Sequence, residues 1–357
     1  MTRRVLEVLG PSTGGIRRHV AVLADGLERR GWSVTVAGPA GVLDGLRSDL
    51  EPVPVSLGPR APAAVRSLRP LVREADVVHA HGLTAGWVAW AAGAGPKLVV
   101  TVHNLVLDAA SGRTAPLLRR LEAWLPARAR QTIVISPAMR DRFASGGGSL
   151  HLVPPVGPIP AVSRSSADVR AELGVGLHDP LVVLVGRLHP QKDIGTLIEA
   201  AARLESGVQV VVAGEGPQRP ELEARIRRLG LGGRVRLLGA RTDAADLQAA
   251  ADVVVMCSIW EGFGLVVAEA LHLGRPVVAT AVGPVPSMVV DGETGRLVPP
   301  SDPEALAAAI GDLLADPARA AELGRAGAKL VAPHFDTDAL VRRVEEVYEL
   351  VTEEPDR

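Results

Sequence analysis

Short apolar runs alternate with longer stretches of helical periodicity along the whole chain, and this alternation constrains the fold more than any other feature. In the first half the apolar runs are Val5 to Leu9, Ser33 to Ala37, Val77 to Ala80, Lys97 to Val102 and Thr132 to Ile135. In the second half they are Leu181 to Val185, Val208 to Ala213, Val235 to Leu238, Val253 to Met256 and Pro276 to Ala279. Such alternation is typical of βα units that feed a parallel sheet. The sequence therefore predicts an α/β fold built from two series of these units.

A proline-rich stretch separates the two series. The prolines between Val153 and Pro160 remove backbone donors and oppose helix formation, so we interpret the segment at about 153–166 as an interdomain linker. The predicted domains are 1–155 and 156–335, two Rossmann-like units that face each other across a cleft. The final segment, 336–357, is expected to form a helix that packs back on the first domain. Helices in the first half are predicted near 16–30, 61–75, 83–92, 114–129 and 137–144.

Composition excludes several classes of protein. The 357 residues suffice for two domains, and hydrophobic residues at 47% supply an ample core. A formal net charge of −1 argues against a nucleic-acid binder, and the single cysteine excludes a disulfide framework. No run approaches the roughly 20 apolar residues that cross a bilayer, and the first residues lack an apolar signal segment. We therefore expect a cytoplasmic protein.

The near-zero net charge conceals an asymmetry. Residues 1–160 contain 19 Lys+Arg and 11 Asp+Glu, a net of +8, and subtraction from the totals of 39 and 40 leaves 20 and 29, a net of −9. Two stretches of the first half collect arginines, namely Arg60, Arg66, Arg69 and Arg73, and then Arg113, Arg119, Arg120, Arg128 and Arg130 beside Trp124. One hypothesis is a cationic face for anionic lipid or an acidic acceptor, which would make the protein peripheral at the inner membrane face.

The alternative for the second stretch is an ordinary amphipathic helix. Leu117, Leu118, Leu121, Trp124 and Leu125 follow helical spacing, so they would face the core while the arginines face water. We favour this alternative.

The segment from Trp260 to Glu269 carries the strongest functional signal. It follows a strand and opens a helix, and Gly262 and Gly264 let the backbone pass close to a ligand. The helix N-terminus offers unpaired N–H groups and the positive end of a dipole, which suit an anion. Glu261 and Glu269 could accept hydrogen bonds from sugar hydroxyls. The alternative is an ordinary strand-to-helix turn with two solvated glutamates, but Glu269 lies among apolar residues where a carboxylate without partners is expensive.

A second pair of charged residues follows the strand that ends at Gly186. Arg187 and Lys192 occupy the strand-to-helix loop, and Lys192 is placed at the start of a helix that runs to about Leu204, where the helix dipole disfavours a cation. An arginine fork and a lysine point charge would suit a diphosphate. The alternative is that Lys192 pairs with Asp193 or Glu199.

Several further residues have two interpretations. His103 follows a strand of the first half and could donate a hydrogen bond to a phosphate or a sugar, although structural histidines are common. The loop that ends at Gly15 lacks the dinucleotide fingerprint but offers free N–H groups at a helix start. His79 and His81 share one face of a strand, and without an evident third ligand we expect a structural role. Asp336 is predicted to be a helix N-cap and not part of a metal pair.

Four motifs follow one another along the second half of the chain, namely Gly186-Arg187 with Lys192, Gly214-Glu215-Gly216, Glu261-Gly-Phe-Gly-x4-Glu269 and Asp291-Gly-Glu-Thr-Gly295. In this order they resemble the motifs of the retaining GT-B glycosyltransferases of family 4. The resemblance covers nearly the whole chain and implies a GT-B architecture without a metal or cofactor. One departure is Gly283-Pro284-Val285-Pro286-Ser287, where the family often has Gly-Gly-x-x-Glu.

The resemblance also implies roles for individual residues. Candidate catalytic residues are His103, Arg187, Lys192 and Glu261, with the two cations on the diphosphate, Glu261 on the donor sugar and His103 near the transferred sugar. Candidate donor-binding residues are Gly15, Gly186, Arg241, Gly262, Phe263, Gly264, Leu265 and Glu269, with Arg241 near the base and Glu269 on the ribose. Gly15 belongs to the glycine loop of the domain that would bind the acceptor.

The expected activity is transfer of a hexose-type sugar from a UDP-, GDP- or ADP-sugar to an acceptor, with retention at the anomeric carbon. The acceptor is open: a polysaccharide, a lipid-linked sugar or a small metabolite. Two alternatives remain, a GT-B epimerase or hydrolase that acts on the sugar nucleotide itself, and a sensor that binds a sugar nucleotide without transfer. Nucleic acid is not an expected partner.

Overall fold

The chain divides into two units, each built on a parallel sheet. The computed structural model describes residues 2–11, 15–44, 46, 49–56, 60–103, 115–144, 146–155 and 161–353. The first unit comprises Met1–Pro158 and His334–Arg357, and the second comprises Ile159–Pro333. Residues 156–160, the centre of the predicted linker, lie outside the described residues.

In the first unit the described residues form a seven-stranded sheet with the strand order β3-β2-β1-β4-β5-β6-β7. The strands are β1 (Arg4–Leu9), β2 (Ser33–Gly38), β3 (Asp49–Pro52), β4 (Val77–His81), β5 (Leu98–Val102), β6 (Gln131–Val134) and β7 (Leu150–Leu152). All neighbouring pairs are parallel. The helices are α1 (Gly15–Arg29), α2 (Ala40–Leu43), α3 (Ala61–Glu74), α4 (Leu83–Ala89), α5 (Ala115–Trp124) and α6 (Pro137–Phe143). A π-helical turn, Trp90–Ala94, follows α4.

The second unit contains a parallel sheet of six strands among its described residues, in the order β10-β9-β8-β11-β12-β13. The strands are β8 (Leu181–Val185), β9 (Gln209–Ala213), β10 (Val235–Gly239), β11 (Val253–Met256), β12 (Val277–Thr280) and β13 (Arg296–Val298). The helices are α7 (Ser166–Glu172), α8 (Ile194–Ala201), α9 (Arg219–Arg228), α10 (Ala244–Ala250), α11 (Leu265–His272), α12 (Pro303–Ala315) and α13 (Pro317–Val331). The predicted α/β class with two Rossmann-like, parallel-sheet units is confirmed.

Three strands have no counterpart in the sequence prediction: β3, β7 and β13. The four residues of β3 are all exposed, and those of β7 are half-buried. Each strand lies at an edge of its sheet, where only one side is paired. Short edge strands need little apolar surface, so the periodicity of buried residues does not reveal them.

The last helix, α14 (Thr337–Thr352), belongs to the first unit. Asp336 caps it, because its side chain accepts a hydrogen bond from the Ala339 N–H at 2.8 Å, as predicted. The helix contributes an apolar stripe to the core of this unit, consisting of Leu340, Val341, Val344, Val347, Tyr348 and Val351. It packs closely on α1: a Cβ atom added to Gly26 would lie 2.3 Å from Cγ2 of Val341.

No helix in the described part of the chain is long and apolar enough to span a membrane.

Candidate functional site

Two loops of the second unit pack backbone against backbone at the carboxyl edge of its sheet. Gly186 follows β8, and its N–H donates to the carbonyl of Ala213 at 2.9 Å. A Cβ atom at Gly214 would lie 1.8 Å from the carbonyl oxygen of Gly186, and one at Gly216 would lie 2.3 Å from that of Leu188. Only glycine fits at Gly214 and Gly216, so these two residues allow the close packing of the loop that carries Arg187. The side chain of Arg187, a predicted site residue, is exposed.

Lys192 lies in a short 3-10 turn, Pro190–Lys192, and not inside a helix. The predicted helix is present but shorter, because α8 begins at Ile194 and ends at Ala201, so Lys192 lies two residues before its first residue. Asp193 takes a left-handed φ of 44° between the turn and the helix.

The side chain of Lys192 forms an ion pair with Glu261, from its Nζ to Oε1 of the carboxylate. Both groups are largely buried, with side-chain exposures of 18% and 9%. The same carboxylate oxygen accepts a hydrogen bond from Ser258 Oγ at 2.7 Å. The pairing of Lys192 with Asp193 or Glu199 that the sequence left open is therefore not the one formed. The structure brings two predicted catalytic residues together and adds Ser258, which sequence reasoning missed.

The segment after Glu261 leads into α11 as predicted. Gly264 precedes the helix with a left-handed φ of 88°, and Phe263 is buried with 7% exposure. Glu269 lies within α11 and is 4% exposed, so it does not belong to a solvated face. The N–H groups of the first turn of α11 begin at Leu265, one residue after the predicted glycines.

Gly283 is a further residue that holds this segment in place. Its φ is 53°, and an added Cβ atom would lie 2.3 Å from the carbonyl oxygen of Glu261. The glycine is therefore required both for its backbone conformation and for the close approach of two loops. The sequence singled out this glycine only as the start of a departure from the family motif.

Arg241 lies in the loop after β10 and forms ion pairs with two carboxylates. Its guanidinium donates to Asp243 at 2.6 Å and to Glu172 at 2.8 Å. The hydrogen bonds that Arg241 donates to Asp243 and Glu172 raise its pKa above the ordinary value. Its predicted contact with a nucleotide base would compete with these pairs.

In the first unit, a line of polar side chains crosses one face of the sheet. Glu7 in β1 is in register with His79 in β4, and His81 is in register with Thr101 in β5. His103 follows Thr101 by two residues, so period-two alternation places all five side chains on one face. Each is at most 5% exposed. The predicted His103 is therefore part of a buried cluster and not an isolated cleft residue.

Hydrogen bonds connect these side chains from one strand to the next. His81 Nε2 lies 2.6 Å from Oε2 of Glu7, and His81 Nδ1 lies 3.0 Å from Nε2 of His103. Tyr348 of α14 donates to Oε1 of Glu7 at 2.8 Å and lies 2.7 Å from Nδ1 of His79. His79 Nε2 is 2.7 Å from the hydroxyl oxygen of Thr101.

Burial and mutual contacts shift the pKa values of this cluster. Burial alone would raise the pKa of Glu7, but the charge of His79 and hydrogen bonds from His79 and His81 outweigh it and hold the pKa far below its ordinary value. Burial is the main cause that lowers the pKa of His81 to about 4, and that of His103 well below its usual range. Burial also raises the pKa of Tyr348. Glu7 is thus ionised near neutral pH, while His81 and His103 are neutral.

Contrary to our expectation, His79 and His81 have further potential metal ligands nearby. Two groups have ligand atoms within 4.8 Å of one another: His19 with His81 and His103, and Glu7 with His79 and His81. Neutral imidazoles are suitable metal ligands. Nδ1 of His81 and Nε2 of His103 already contact each other at 3.0 Å, so an ion bound to these two nitrogens would have to replace that contact.

Glu7 and Tyr348 were not found from the sequence. A carboxylate between apolar residues of a predicted buried strand is a signal that could have identified Glu7, because a buried charge requires partners. Nothing in the sequence pairs Tyr348 with it, since the two lie 341 positions apart.

Two predictions fall next to undescribed residues or on them. Gly15 is the first residue of α1, and the loop residues 12–14 that precede it lie outside the described chain. The predicted stripe from Leu117 to Leu125 is only partly consistent with a core face: Leu125, just after α5, is buried at 2% exposure, whereas Trp124, at the end of α5, is 48% exposed. Our expectation that the stripe faces the core is wrong for Trp124. The side chain of Leu117 is outside the described residues.

Comparison with known proteins shows that the chain is similar to glycosyltransferases. The family model for Glycosyl transferases group 1 matches residues 165–330, and that for Glycosyltransferase Family 4 matches residues 13–155. A D-inositol 3-phosphate glycosyltransferase of Xylanimonas cellulosilytica is 34% identical over 302 residues, which cover 78% of this chain and 72% of the relative.

Solved structures agree on the fold. A sucrose-phosphate synthase from Thermosynechococcus elongatus is similar with a TM-score of 0.85 and 27% identity, covering 98% of this chain and 100% of that one. The Anabaena protein HepE, solved in complex with UDP-glucose, has a TM-score of 0.84 and 24% identity, with coverage of 96% and 98%.

Proposed function

Since this chain belongs to the glycosyl transferases of group 1, we propose that it transfers a hexose-type sugar from a nucleotide diphosphate sugar to an acceptor, with retention at the anomeric carbon and without a metal ion. The donor would be a UDP-, GDP- or ADP-sugar. One observation carries the proposal: a lysine and a buried carboxylate form an ion pair directly before the N-terminus of α11.

The ion pair suits a site that exchanges partners when a diphosphate arrives. Lys192 is only 18% exposed, so its charge acts in a poorly solvated environment where electrostatic interactions are strong. If Lys192 turns toward a phosphate, Glu261 keeps the hydrogen bond from Ser258 and is not left without a partner. The carboxylate would then be available to the hydroxyl groups of the donor sugar.

Charge that develops on the leaving diphosphate would be stabilised by fixed positive groups. Arg187, Lys192 and the N–H groups at the start of α11 supply them, and preorganised charge of this kind is an effective source of rate enhancement. Gly186, Gly262, Gly264 and Gly283 would allow the backbone to approach the ligand, and Glu269 would hold the ribose. Arg241 would contact the base at the expense of one of its carboxylate partners.

We assign donor binding to the second domain, 156–335, and acceptor binding to the first, 1–155 with 336–357. The acceptor is proposed to be anionic, because residues 1–160 carry a net charge of +8. The name of the Xylanimonas relative specifies an inositol phosphate, which is such an anion. Inositol 3-phosphate is therefore the first acceptor to test, ahead of polysaccharides and lipid-linked sugars.

Replacement of Lys192 tests the proposal. Lys192→Ala is expected to lower transfer by about 100-fold or more, because a fixed cation opposite the diphosphate is lost. The measurement is product formation from a panel of UDP-, GDP- and ADP-sugars with inositol 3-phosphate, and Lys329→Ala, at an exposed position of α13, is the matched control. Chelator treatment of the wild-type protein should leave turnover unchanged, and NMR of the product should show the anomeric configuration of the donor.

Other outcomes would contradict this function. Rapid epimerisation or hydrolysis of the donor in the absence of any acceptor would indicate an enzyme that acts on the sugar nucleotide alone. Donor binding without turnover would indicate a sensor. A requirement for Mn²⁺ or Mg²⁺ would overturn metal independence.

We also propose that the first unit contacts anionic lipid through two exposed tryptophans. Trp90 and Trp124 are 38% and 48% exposed, which is unusual for such large apolar side chains. Arg128 lies 5.7 Å from the ring centre of Trp90, and Arg120 lies 4.5 Å from that of Trp124. Paired aromatic and cationic groups are suited to an anionic membrane interface.

Vesicle sedimentation tests the lipid contact. The double variant Trp90→Ala/Trp124→Ala is expected to lose binding to phosphatidylglycerol vesicles at low salt, whereas Leu177→Ala, at an exposed apolar position of the second unit, keeps it. Equal sedimentation with neutral phosphatidylcholine, or none of the wild-type protein, would remove this proposal.

A further inference from the structure

We propose that Glu7 and His81 are positioning residues that fix His103 as the tautomer with its proton on Nε2, so that Nδ1 presents a lone pair to a substrate hydroxyl. The inference rests on the proposed function for the contact with substrate. Its tautomer part concerns the protein alone.

The direction of the hydrogen bonds is set at Glu7. Its carboxylate is fully buried, and its neighbours hold its pKa far below the ordinary value, so it is ionised and can only accept. Oε1 accepts from the hydroxyl of Tyr348. Oε2 lies 2.6 Å from His81 Nε2, which must therefore carry a proton.

The hydrogen bond to Glu7 determines which nitrogen of His81 carries the proton. A neutral imidazole carries one proton, and in His81 that proton is on Nε2. Burial keeps this ring neutral near pH 7, since the pKa of His81 is lowered to about 4. Nδ1 of His81 is then an acceptor. Because it lies 3.0 Å from Nε2 of His103, His103 must donate from that nitrogen.

His103 is the end of this chain of donors. It is 5% exposed and its pKa is well below the usual range, so it also carries a single proton, on Nε2. Nδ1 of His103 therefore has a lone pair and no hydrogen. A neutral ring in this state can accept a hydrogen bond from a hydroxyl, but it cannot donate a second one to a phosphate.

The rest of the cluster is consistent with these proton positions. His79 Nδ1 lies 2.7 Å from the Tyr348 oxygen and 3.3 Å from Oε2 of Glu7, so it donates to them, while the Tyr348 hydroxyl donates to Oε1 of Glu7. His79 Nε2 lies 2.7 Å from the Thr101 hydroxyl, which can either donate or accept. His19 is a further titratable group in contact, with ring centres 5.3 Å from His103 and 5.9 Å from His81.

Glu7 sets the direction of these hydrogen bonds because an ionised carboxylate can only accept them, whereas the side-chain amide of a glutamine can also donate. In Glu7→Gln the amide N–H can donate to His81 Nε2, which moves the His81 proton to Nδ1. His81 would then donate to His103, and the proton of His103 would move to its own Nδ1. The lone pair on Nδ1 of His103 is thereby lost.

The test reads the tautomers directly by 15N NMR of the full-length protein with labelled histidine at pH 7. The expected wild-type spectrum has His81 and His103 both as neutral Nε2–H tautomers, with His81→Asn and His103→Asn used for assignment. Glu7→Gln is expected to shift His103 toward the Nδ1–H form and to lower kcat by roughly 10- to 100-fold, with a smaller change in the KM of the donor. Glu7→Asp should restore the Nε2–H tautomer and part of kcat.

The variant Tyr348→Phe distinguishes a positioning role of Glu7 from a purely structural role of the cluster. It removes the hydrogen bond to Oε1 but leaves the carboxylate in place, so the protein loses stability while His103 keeps its tautomer. If the cluster were only structural, Glu7→Gln and Tyr348→Phe would lower kcat in proportion to their loss of stability, whether or not the tautomer of His103 changed.

Several results would overturn the inference. One is a wild-type His103 that is protonated on Nδ1 or doubly protonated at pH 7. Another is a stoichiometric metal ion bound to this cluster in the purified protein, because imidazole nitrogens would then be occupied as ligands. Full activity of His103→Asn would overturn the contact with substrate. Absence of wild-type turnover with every donor would instead refute the proposed function, and the NMR spectrum would still decide the tautomer.

Discussion

Glu261 and Glu7 are both buried carboxylates near the carboxyl ends of parallel strands, but their partners give them different roles. Glu261 is held by a flexible lysine and by Ser258, so one partner can leave for a phosphate while the other remains. Glu7 is held by imidazoles and a phenol on rigid strands and on α14. Those groups cannot leave without opening the core. The contacts of Glu261 therefore suit a site that rearranges when a ligand binds. Those of Glu7 suit a carboxylate that stays in place and fixes the hydrogen bonds of its neighbours.

Gly283 provides a residue-scale prediction about the Glu261 loop. Gly283→Ala is expected to destabilise the second unit by about 2–4 kcal/mol, because a left-handed alanine costs about 1–2 kcal/mol and its Cβ would meet the carbonyl of Glu261 at 2.3 Å. Gly292→Ala is the matched control, since its φ of 74° carries the same backbone cost with nothing within 4 Å. Urea unfolding measures both.

The two variants should also differ in binding. Because only Gly283→Ala displaces Glu261, only it should weaken donor binding, as measured by calorimetry. Equal losses of stability and affinity in the two variants would show that the close approach of the loops is unimportant.

At the scale of elements, strand ends are the positions that sequence reasoning predicts best. Arg187, Lys192 and His103 became candidates because each was predicted to follow a buried strand, and the carboxyl ends of parallel strands share one edge of a sheet. The structure confirms that each follows a strand. The helix boundary near Lys192 was not predicted, because the left-handed Asp193 that separates turn from helix leaves no pattern in a non-glycine residue. The edge strands β3 and β7 were missed because their pairing depends on a neighbour and not on an apolar run of their own.

The first unit as a whole is assembled from both ends of the chain. Helix α14 covers the face of the sheet that carries Glu7, and its apolar stripe packs with α1. Burial of a large apolar side chain contributes about 1.5–3 kcal/mol, so this stripe contributes substantially to the core. The Tyr348 hydroxyl of the same helix donates a hydrogen bond to Glu7. The last helix therefore contacts the carboxylate that sets which nitrogens of the cluster carry protons.

The buried imidazoles give the whole molecule a pH-dependent stability. Burial lowers the pKa of His81 to about 4, while an unfolded histidine titrates near 6.5. Between these values the unfolded chain binds a proton that the folded chain does not, so the free energy of unfolding falls as pH falls from 6.5 to 4. His81 alone accounts for a loss of about 3 kcal/mol at pH 4. His103 acts in the same direction, and Glu7 extends the loss to lower pH.

Urea unfolding at pH 7.0, 5.5 and 4.5 measures this effect. Four of the five tryptophans lie in the first unit, so their fluorescence mainly reports that unit. His81→Gln is expected to be less stable at pH 7 but to have a flatter pH dependence, while exposed His178→Asn should follow the wild type. A constant free energy of unfolding from pH 7.0 to 4.5 would contradict the neutral, buried state of His81.

The sequence by itself determined the α/β class, the two series of βα units and the family, because hydrophobic periodicity and glycine-rich turns are local properties of the chain. It also identified Lys192 and Glu261 as separate candidates. Only the tertiary structure decided that these two form an ion pair across 69 positions, and that Tyr348 meets Glu7 across 341. The reason is physical: burial, hydrogen-bond direction and pKa depend on which distant side chains share a water-free space, and folding alone brings them together.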